Sequence, residues 1–450
     1  MLRRDPRGNP VSTASAAALD ASEHALWRMM SFYGAPLDDL DAAVAADPGW
    51  ILPRLMKAGF LLSLTEPALV AQAAALLADA ESLAADANAR ERGHLVALQR
   101  LASGDWVGAG DAWSALLREH PRDALALQWA HLFDFYRGDA TQLHAHVENV
   151  LPAWPDDDPL HPYVLALHAF GLEESGRYAE AEAEGRRALA DTARVPWAIH
   201  AVAHVMEMQG RHVEGRRWLG EWRPHWGAGE GVGRNGFAGH LGWHEALFAL
   251  EALDTGAALH SYDAYLGTAQ IEITLQRVDA ASLLWRVALL GIEVGDRWRE
   301  LLAGWRLDAA AAGQSVFNDV HATLALIGAG ELTVAREWVA LSLAGAERRA
   351  GWNHEVARDL GAPLQRGLLA FGAGEFAAAA EAIAPLRAGL ARFGGSRAQR
   401  DVVDQTLLAA ATQGGLPTLA RALLDDRGHG KRATPLTAWW EERLARGSGR

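Results

Sequence analysis

The 450-residue chain contains no cysteine. This absence excludes disulfide bonds, thiolate metal ligands and a cysteine nucleophile together. Lysine is nearly absent as well, since Lys57 and Lys431 are the only two, and no block of clustered Lys and Arg occurs. With 42 basic against 56 acidic residues, the formal net charge is -14. We therefore expect neither nucleic acid nor an anionic membrane among the partners.

Long apolar runs are also missing. No stretch approaches the roughly 20 uninterrupted apolar residues that a membrane-spanning helix needs. The N-terminal segment MLRRDPRGNPVSTASAAALDA lacks the apolar centre of a signal peptide. These features predict a cytoplasmic protein in which residues 1–20 form a disordered lead-in.

The chain repeats itself at a fixed interval. Gly104 and Gly138 are 34 residues apart, and so are Gly176 and Gly210. Two later segments, GAGELTVAREWVAL and GAGEFAAAAEAIAPL, resemble each other with a longer spacing. A period of 34 with a glycine turn between amphipathic helices is typical of a tetratricopeptide-type (TPR) helical hairpin.

A single hairpin cannot bury its own apolar stripe, whereas stacked hairpins can. The sequence therefore predicts an all-α, TPR-like α-solenoid, a right-handed superhelix of helical hairpins with irregular C-terminal repeats. We expect one set of repeats over 21–225 and a second over 240–445. The Gly-rich segment 226–239 between them matches neither the dinucleotide nor the P-loop spacing and is predicted to be a connector or lid.

Several segments resemble the tetratricopeptide repeat protein 38 family. They include FGLEESGRYAEAE, WAIHAVAHVMEMQGR, HLGWHEALFALE, SLLWRVALLGIEVGDRW, VFNDVHATLAL, EVARDLGAPL and GGSRAQRDVVDQTLLAA, in order from Phe170 to Ala411. The earlier segment HPRDALALQWAH fits too. The resemblance implies an all-helical repeat fold but no particular reaction. It also implies histidine at positions that are here His94, His131, His200, His204, His240, His244 and His321.

Histidine is abundant, at 18 residues, and its placement is regular. The segment PWAIHAVAHVMEMQGR places His200 and His204 four residues apart and Glu207 three further on, so all three share one helix face. His240 and His244 form a second pair with the same spacing. Counted back from the turn glycines, these side chains face the concave groove of a TPR hairpin.

The regular register predicts one histidine-lined pocket with aromatic walls and arginine donors. Its predicted ligand-binding residues are His94, His131, His200, His204, Glu207, His240, Trp243, His244, Asp319, His321, Arg358 and Arg400. For any single imidazole, His131 especially, a purely structural hydrogen bond is the better interpretation, but it is weaker for all seven histidines together. A pocket that binds a small molecule or peptide is the leading functional hypothesis.

A metal-dependent hydrolase is the main alternative. A pair of histidines at i and i+4 can chelate one ion, and the predicted metal ligands are His200, His204, Glu207, His240 and His244, for zinc, manganese or iron. Against this, Ala201 stands where the zincin motif has its glutamate. The third hypothesis is a protein-interaction scaffold without an enclosed site.

Overall fold

The computed structural model describes residues 3–227, 235–268, 270–348 and 351–447. The chain divides into two compact units, one of residues 1–202 and 224–237 and the other of residues 203–223 and 238–450. Of the Gly-rich segment predicted as a connector or lid, residues 228–234 lie outside the described residues.

The first unit consists of consecutive helices joined by short turns. They are α1 (Ala16–Ser31), α2 (Leu37–Ala46), α3 (Leu52–Ser63), α4 (Pro67–Ser82), α5 (Ala89–Ala102), α6 (Trp106–Glu119), α7 (Ala124–Arg137), α8 (Ala140–Val150), α9 (His161–Glu174) and α10 (Tyr178–Ala188). Each helix packs on its successor in the pairs α1–α2, α3–α4, α5–α6, α7–α8 and α9–α10. Short 3-10 helices at Ala84–Asp86 and Leu151–Ala153 lie between pairs.

Two helices contain the boundaries between the units. Helix α11 (Pro196–Met208) begins in the first unit and ends in the second, and α12 (His212–Trp226) does the reverse. The second unit continues with α13 (Ala238–Glu251), α14 (Thr255–Ser261), α15 (Thr274–Leu289), α16 (Arg297–Ala303), α17 (Val316–Gly328), α18 (Leu332–Glu347), α19 (Trp352–Val356), α20 (Ala362–Gly372), α21 (Phe376–Ile383), α22 (Arg397–Gln413), α23 (Pro417–Gly430) and α24 (Pro435–Gly447).

The second unit is less regular than the first. Single π-helical turns occur at Tyr262–Leu266 and Ala357–Gly361, and a 3-10 helix spans Ala384–Phe393. Helix α15 packs not only on α13 and α17 but also on α22, which is distant in sequence. The predicted all-α, TPR-like α-solenoid with irregular C-terminal repeats is confirmed.

The predicted turn glycines adopt the left-handed backbone conformation that ends a helix without steric cost. Their φ angles lie between 68° and 90° at Gly104, Gly138, Gly176, Gly210, Gly330 and Gly374. The hairpin of α13 and α14 differs, because its left-handed residue is Leu253, with φ 57°. At this turn the left-handed position therefore carries a side chain.

The N-terminal segment is ordered from Arg3 onwards, in contrast to the expected disordered lead-in over residues 1–20. Two short antiparallel strands, β1 (Arg3–Arg4) and β2 (Pro10–Val11), precede α1. The backbone N–H and hydroxyl of Ser12 both donate to the carboxylate of Glu91 on α5. These long-range hydrogen bonds fix the segment to α5, and the side chain of Val11 is buried in the core.

No helix among the described residues is long and apolar enough to cross a membrane.

Candidate metal centre

The second unit brings together three of the predicted histidines. His204 lies near the end of α11, and His240 and His244 lie one turn apart on α13. The ring centroids of His204 and His244 are 4.5 Å apart, and those of His240 and His244 are 4.9 Å apart. A ring nitrogen from each of the three lies within 4.8 Å of the others. The i, i+4 spacing on α13 therefore does place two imidazoles next to a third from α11.

Two of these imidazoles are held by buried carboxyl groups. Nδ1 of His244 lies 2.9 Å from Oε2 of Glu207, and Nδ1 of His240 lies 2.7 Å from Oδ2 of Asp279. The other oxygen of Asp279 accepts a hydrogen bond of 3.2 Å from Gln399. When Nδ1–H donates to a carboxylate, Nε2 keeps its lone pair and can bind an ion.

The cluster is deeply buried, with one edge nearer to solvent. The side chains of His204 and His244 are inaccessible, whereas that of His240 is 16% exposed. Trp243, also fully buried, stacks on the His240 ring at 5.3 Å. Any ion or ligand would therefore approach the cluster past His240.

Burial shifts the protonation equilibria of the site. It lowers the pKa of His244 well below the usual 6.5, and the charges of His204, His240 and Arg286 lower it further. His244 is therefore neutral at pH 7, the form that ligates metals. Burial also raises the pKa of Glu207 to about 7, against the opposing charges of Lys431 and His204.

His200 belongs to the first unit and has aromatic neighbours there. Its ring stacks on Phe170 at 5.3 Å and lies 5.0 Å from both Trp197 and Phe237. It precedes His204 by one turn of α11. Its role as a metal ligand stays a prediction.

The remaining predicted histidines of the first unit have structural partners. Nε2 of His94 lies 2.9 Å from Oδ2 of Asp123, which also pairs with Arg90 at 2.6 Å. Nε2 of His131 donates to the carbonyl of Leu167 at 3.0 Å. Burial lowers the pKa of His131 to about 3. No described contact joins His94 to His131, so their placement in one shared pocket stays a prediction.

In the C-terminal half, His321 and Asp319 both make hydrogen bonds to the backbone, and the charges of Asp279 and Arg286 act on the pKa of His321. His321 donates from Nδ1 to the carbonyl of Phe317 at 2.7 Å, and burial lowers its pKa to about 4. The carboxylate of Asp319 accepts the N–H of Gly313 at 3.1 Å. Both side chains thus form hydrogen bonds with backbone groups that are close to them in sequence.

The two predicted arginines do not join the histidine cluster through any described contact. Arg358 is exposed and pairs with its neighbour Asp359 at 2.9 Å. Arg400 donates to the carbonyl of Gly395. Asp401, which follows Arg400 in the sequence, pairs with Arg427 at 2.8 Å.

Two important residues of the site were not predicted from the sequence. Asp279 and Arg286 both lie on α15, within the segment RVDAASLLWRVALL. Both are buried, with 4% and 2% of their surface exposed. The signal available in the sequence was an acid and a base, Asp279 and Arg286, within the otherwise apolar stretch from Val278 to Leu290, because a buried charge needs a partner.

No family model matches the chain. The chain is similar to a solved APC/C hetero-tetramer, Cut9–Hcn1, with 11% identity, a TM-score of 0.37 and 96% of both chains covered. It is also similar to yeast Tom70, with 11% identity, a TM-score of 0.33 and coverage of 96% of this chain and 87% of that one. A third similar structure is Naa15/Naa10 bound to HypK-THB, with 13% identity, a TM-score of 0.25, and 96% and 66% covered. Nothing about activity or partners follows from similarities of this size.

Proposed function

We propose that the second unit binds a divalent transition-metal ion through His204, His240 and His244. The observation that supports this most is the pairing of two of these imidazoles with the buried carboxyl groups of Glu207 and Asp279. Carboxylates in this position fix the tautomer and orientation of metal-binding histidines in known metalloproteins. Because a single pairing of this kind also occurs at the structural His94 with Asp123, the proposal depends equally on the close approach of three imidazoles.

The donor set favours zinc or iron over manganese among the three metals predicted from sequence. Imidazole nitrogen suits zinc well, whereas manganese prefers oxygen-rich sites. A zinc ion with three histidine ligands keeps a position for water or substrate and lowers the pKa of bound water to about 7. We therefore propose a metal-dependent hydrolase activity for this centre, acting on a small molecule or peptide in the cytoplasm.

The resemblance to the tetratricopeptide repeat protein 38 family is part of this proposal. Two of its segments, WAIHAVAHVMEMQGR and HLGWHEALFALE, form most of α11 and α13. These are the helices that carry the three histidines. The repeat architecture itself provides extended surfaces for protein partners, so scaffolding is compatible with a metal centre in the second unit.

Elemental analysis of protein purified without a metal-affinity tag tests the proposal. We expect about one transition-metal ion per chain, as for other protein zinc sites, and its loss in the double variant His204→Ala/His244→Ala. His260→Ala, at an exposed position on α14, is the matched control and should keep the ion. Metal-free protein even after zinc supplementation, with the helical content intact, would rule the proposal out.

A further inference from the structure

The first unit contains a small cavity where α1, α7, α9 and the start of α11 meet. Its volume is about 320 Å³, including its open mouth, which is at the lower end of the roughly 300–1,000 Å³ of small-molecule sites. Its apolar walls are formed by four side chains, those of Met30, Phe32, Leu132 and Leu167. Walls of this kind favour a ligand with a short apolar body.

The side chain of Gln128 on α7 provides an amide group in the lining of this cavity. Only 7% of Gln128 is exposed, yet its amide forms no hydrogen bond with any other residue that the structure describes. A buried amide without hydrogen bonds is costly. A ligand that offers both a donor and an acceptor would remove this cost.

His131, three residues further along α7, provides a second acceptor in the lining. Its Nε2 donates to the carbonyl of Leu167 at 3.0 Å, so Nδ1 carries the lone pair of the ring. Burial lowers the pKa of His131 to about 3, and the imidazole is therefore neutral at pH 7. The i, i+3 spacing places Gln128 and His131 on one face of the helix.

Two aromatic side chains of the lining, Tyr163 and Trp197, are hydrogen-bond donors. The hydroxyl of Tyr163 accepts the Nε1–H of Trp27 at 2.9 Å, which leaves its own hydrogen for another acceptor. The Nε1–H of Trp197 is buried and has no hydrogen-bond partner among the residues described. The lining thus combines donors and acceptors with apolar walls.

The cavity lining is uncharged at pH 7, as far as the described residues go. The carboxylate of Asp134, whose charge acts on His131, is already paired with Arg137 at 2.5 Å. Arg194, whose charge acts on Tyr163, is exposed to solvent. A charged ligand would be buried here without a counter-charge, which is costly. The lining therefore favours a neutral ligand.

We infer that this cavity binds a small neutral carboxamide. A primary amide can pair with the amide of Gln128 through two N–H···O bonds, and its second N–H then has Nδ1 of His131 as an acceptor. The site lies within the first unit and does not depend on the proposed metal centre. The source of the carboxamide is either a free small molecule or an Asn or Gln side chain of a peptide.

Three ligands of the same shape test the chemistry on the full-length protein at pH 7. Isobutyramide is neutral and has a donor and an acceptor, methyl isopropyl ketone has only the acceptor, and isobutyrate is charged. Saturation-transfer NMR of their methyl groups measures binding. We expect isobutyramide to bind at least about tenfold more tightly than the other two, as for two net hydrogen bonds. Equal or tighter binding of the ketone or of isobutyrate would overturn the inference, as would no saturable binding of isobutyramide up to about 50 mM.

The variant Gln128→Leu places the ligand in this cavity. It keeps the size of the side chain and removes the amide, so isobutyramide affinity should fall at least about tenfold and become similar to that of the ketone. Gln142→Leu, at an exposed position on α8, is the matched control and should bind like wild type. If Gln128→Leu does not fold, Gln128→Met replaces it. Wild-type isobutyramide affinity in a folded Gln128 variant would contradict the inference.

Two blocked peptides distinguish the source of the carboxamide. Acetyl-Ala-Gln-Ala-N-methylamide and acetyl-Ala-Ala-Ala-N-methylamide differ only in the side-chain amide. Binding of the first peptide and not of the second assigns the cavity to a peptide side chain. Binding of isobutyramide and of neither peptide assigns it to a free small molecule, and both results support a carboxamide ligand.

Discussion

The side chains of Glu207 and His244 form a buried hydrogen bond between α11 and α13, with Oε2 and Nδ1 2.9 Å apart. At most 4% of either side chain is exposed. A buried polar group is costly without a hydrogen-bond partner, and each of these side chains provides that partner for the other. The pair also sets the direction of the His244 ring and keeps its Nε2 for another ligand.

Glu207→Gln should weaken metal binding without removing any ligand. The amide oxygen can accept the same hydrogen bond, but the negative charge beside His244 is lost. Replacement of such orienting carboxylates lowers metal affinity about 10–100-fold. A competition titration with a chromophoric chelator measures the affinity. Glu293→Gln, at an exposed position, is the control, and equal affinities for the two variants would show that Glu207 does not support the site.

The sequence predicted the helical hairpins well because their turns have strict stereochemical requirements. A left-handed residue at each turn favours glycine, and glycine at a 34-residue interval is visible without a structure. The exception is Leu253, where the same backbone conformation carries a side chain. Periodicity alone could not place that turn.

The sequence predicted the residues of the proposed metal centre only in part. His204, His240, His244 and Glu207 were found because helical spacing places them on common faces. Asp279 lies 39 residues from its partner His240, on a helix whose packing depends on tertiary structure. Local periodicity carries no information about such a contact. For the same reason, the sequence grouped Arg358 with histidines to which no described contact joins it.

Glycine variants should separate backbone strain from steric exclusion. At Gly176, φ is 79° and an added Cβ would meet nothing within 4 Å, so Gly176→Ala should cost about 1–2 kcal/mol through conformation alone. At Gly185, the added Cβ would lie 2.7 Å from Cγ2 of Val202, so Gly185→Ala should cost about 1–3 kcal/mol through overpacking. Urea unfolding of each variant measures these losses.

Gly220 provides the control for both glycine variants. It lies inside α12, without positive φ and with nothing within 4 Å of an added Cβ. Gly220→Ala should therefore leave stability unchanged or raise it by up to about 1 kcal/mol, because alanine favours the helix. Destabilisation by Gly220→Ala as large as that by Gly176→Ala would contradict the role given to the turn conformation.

The first unit should lose stability in mild acid because of His131. Burial lowers its folded-state pKa to about 3. The nearby charge of His146 lowers this pKa further, whereas that of Asp134 raises it. Below the usual value of about 6.5, the unfolded chain binds a proton that the folded chain does not, so stability falls as the pH falls from 6.5 towards 3. At pH 5 the loss from this residue is about 2 kcal/mol. Urea unfolding at pH 7.5 and 5.0 should show a smaller decrease in His131→Gln than in wild type, and equal decreases would contradict the assignment.

Glu251 should be a principal anchor of the C-terminal helices. Its carboxylate accepts hydrogen bonds from Arg427, Lys431 and Thr434. Breaking a buried ion pair by removing one partner costs about 3–5 kcal/mol, so Glu251→Gln should lower the thermal unfolding midpoint clearly. The opposing charges hold the pKa of Glu251 at about 2 despite burial, so this stabilisation is complete above about pH 4.5 and is lost as the pH falls through 2.

An exposed ion pair of the same unit is the control for Glu251. Asp263 pairs with Arg297 at 2.7 Å, but 54% of the Asp263 side chain is accessible to solvent. Asp263→Asn should therefore cost at most about 1 kcal/mol. If Asp263→Asn and Glu251→Gln lowered the unfolding midpoint by similar amounts, burial of the ion pairs around Glu251 would add nothing to the stability of the protein.

X-ray absorption at the zinc edge of the purified, tag-free protein tests the metal centre most directly. We expect a first shell that includes three imidazole nitrogens at about 2.0–2.1 Å, the usual zinc–histidine distance. The imidazole scattering should diminish in His240→Ala and stay unchanged in His260→Ala. Bound zinc without an imidazole signal, or a signal unaffected by His240→Ala, would contradict the assignment of the ion to this cluster.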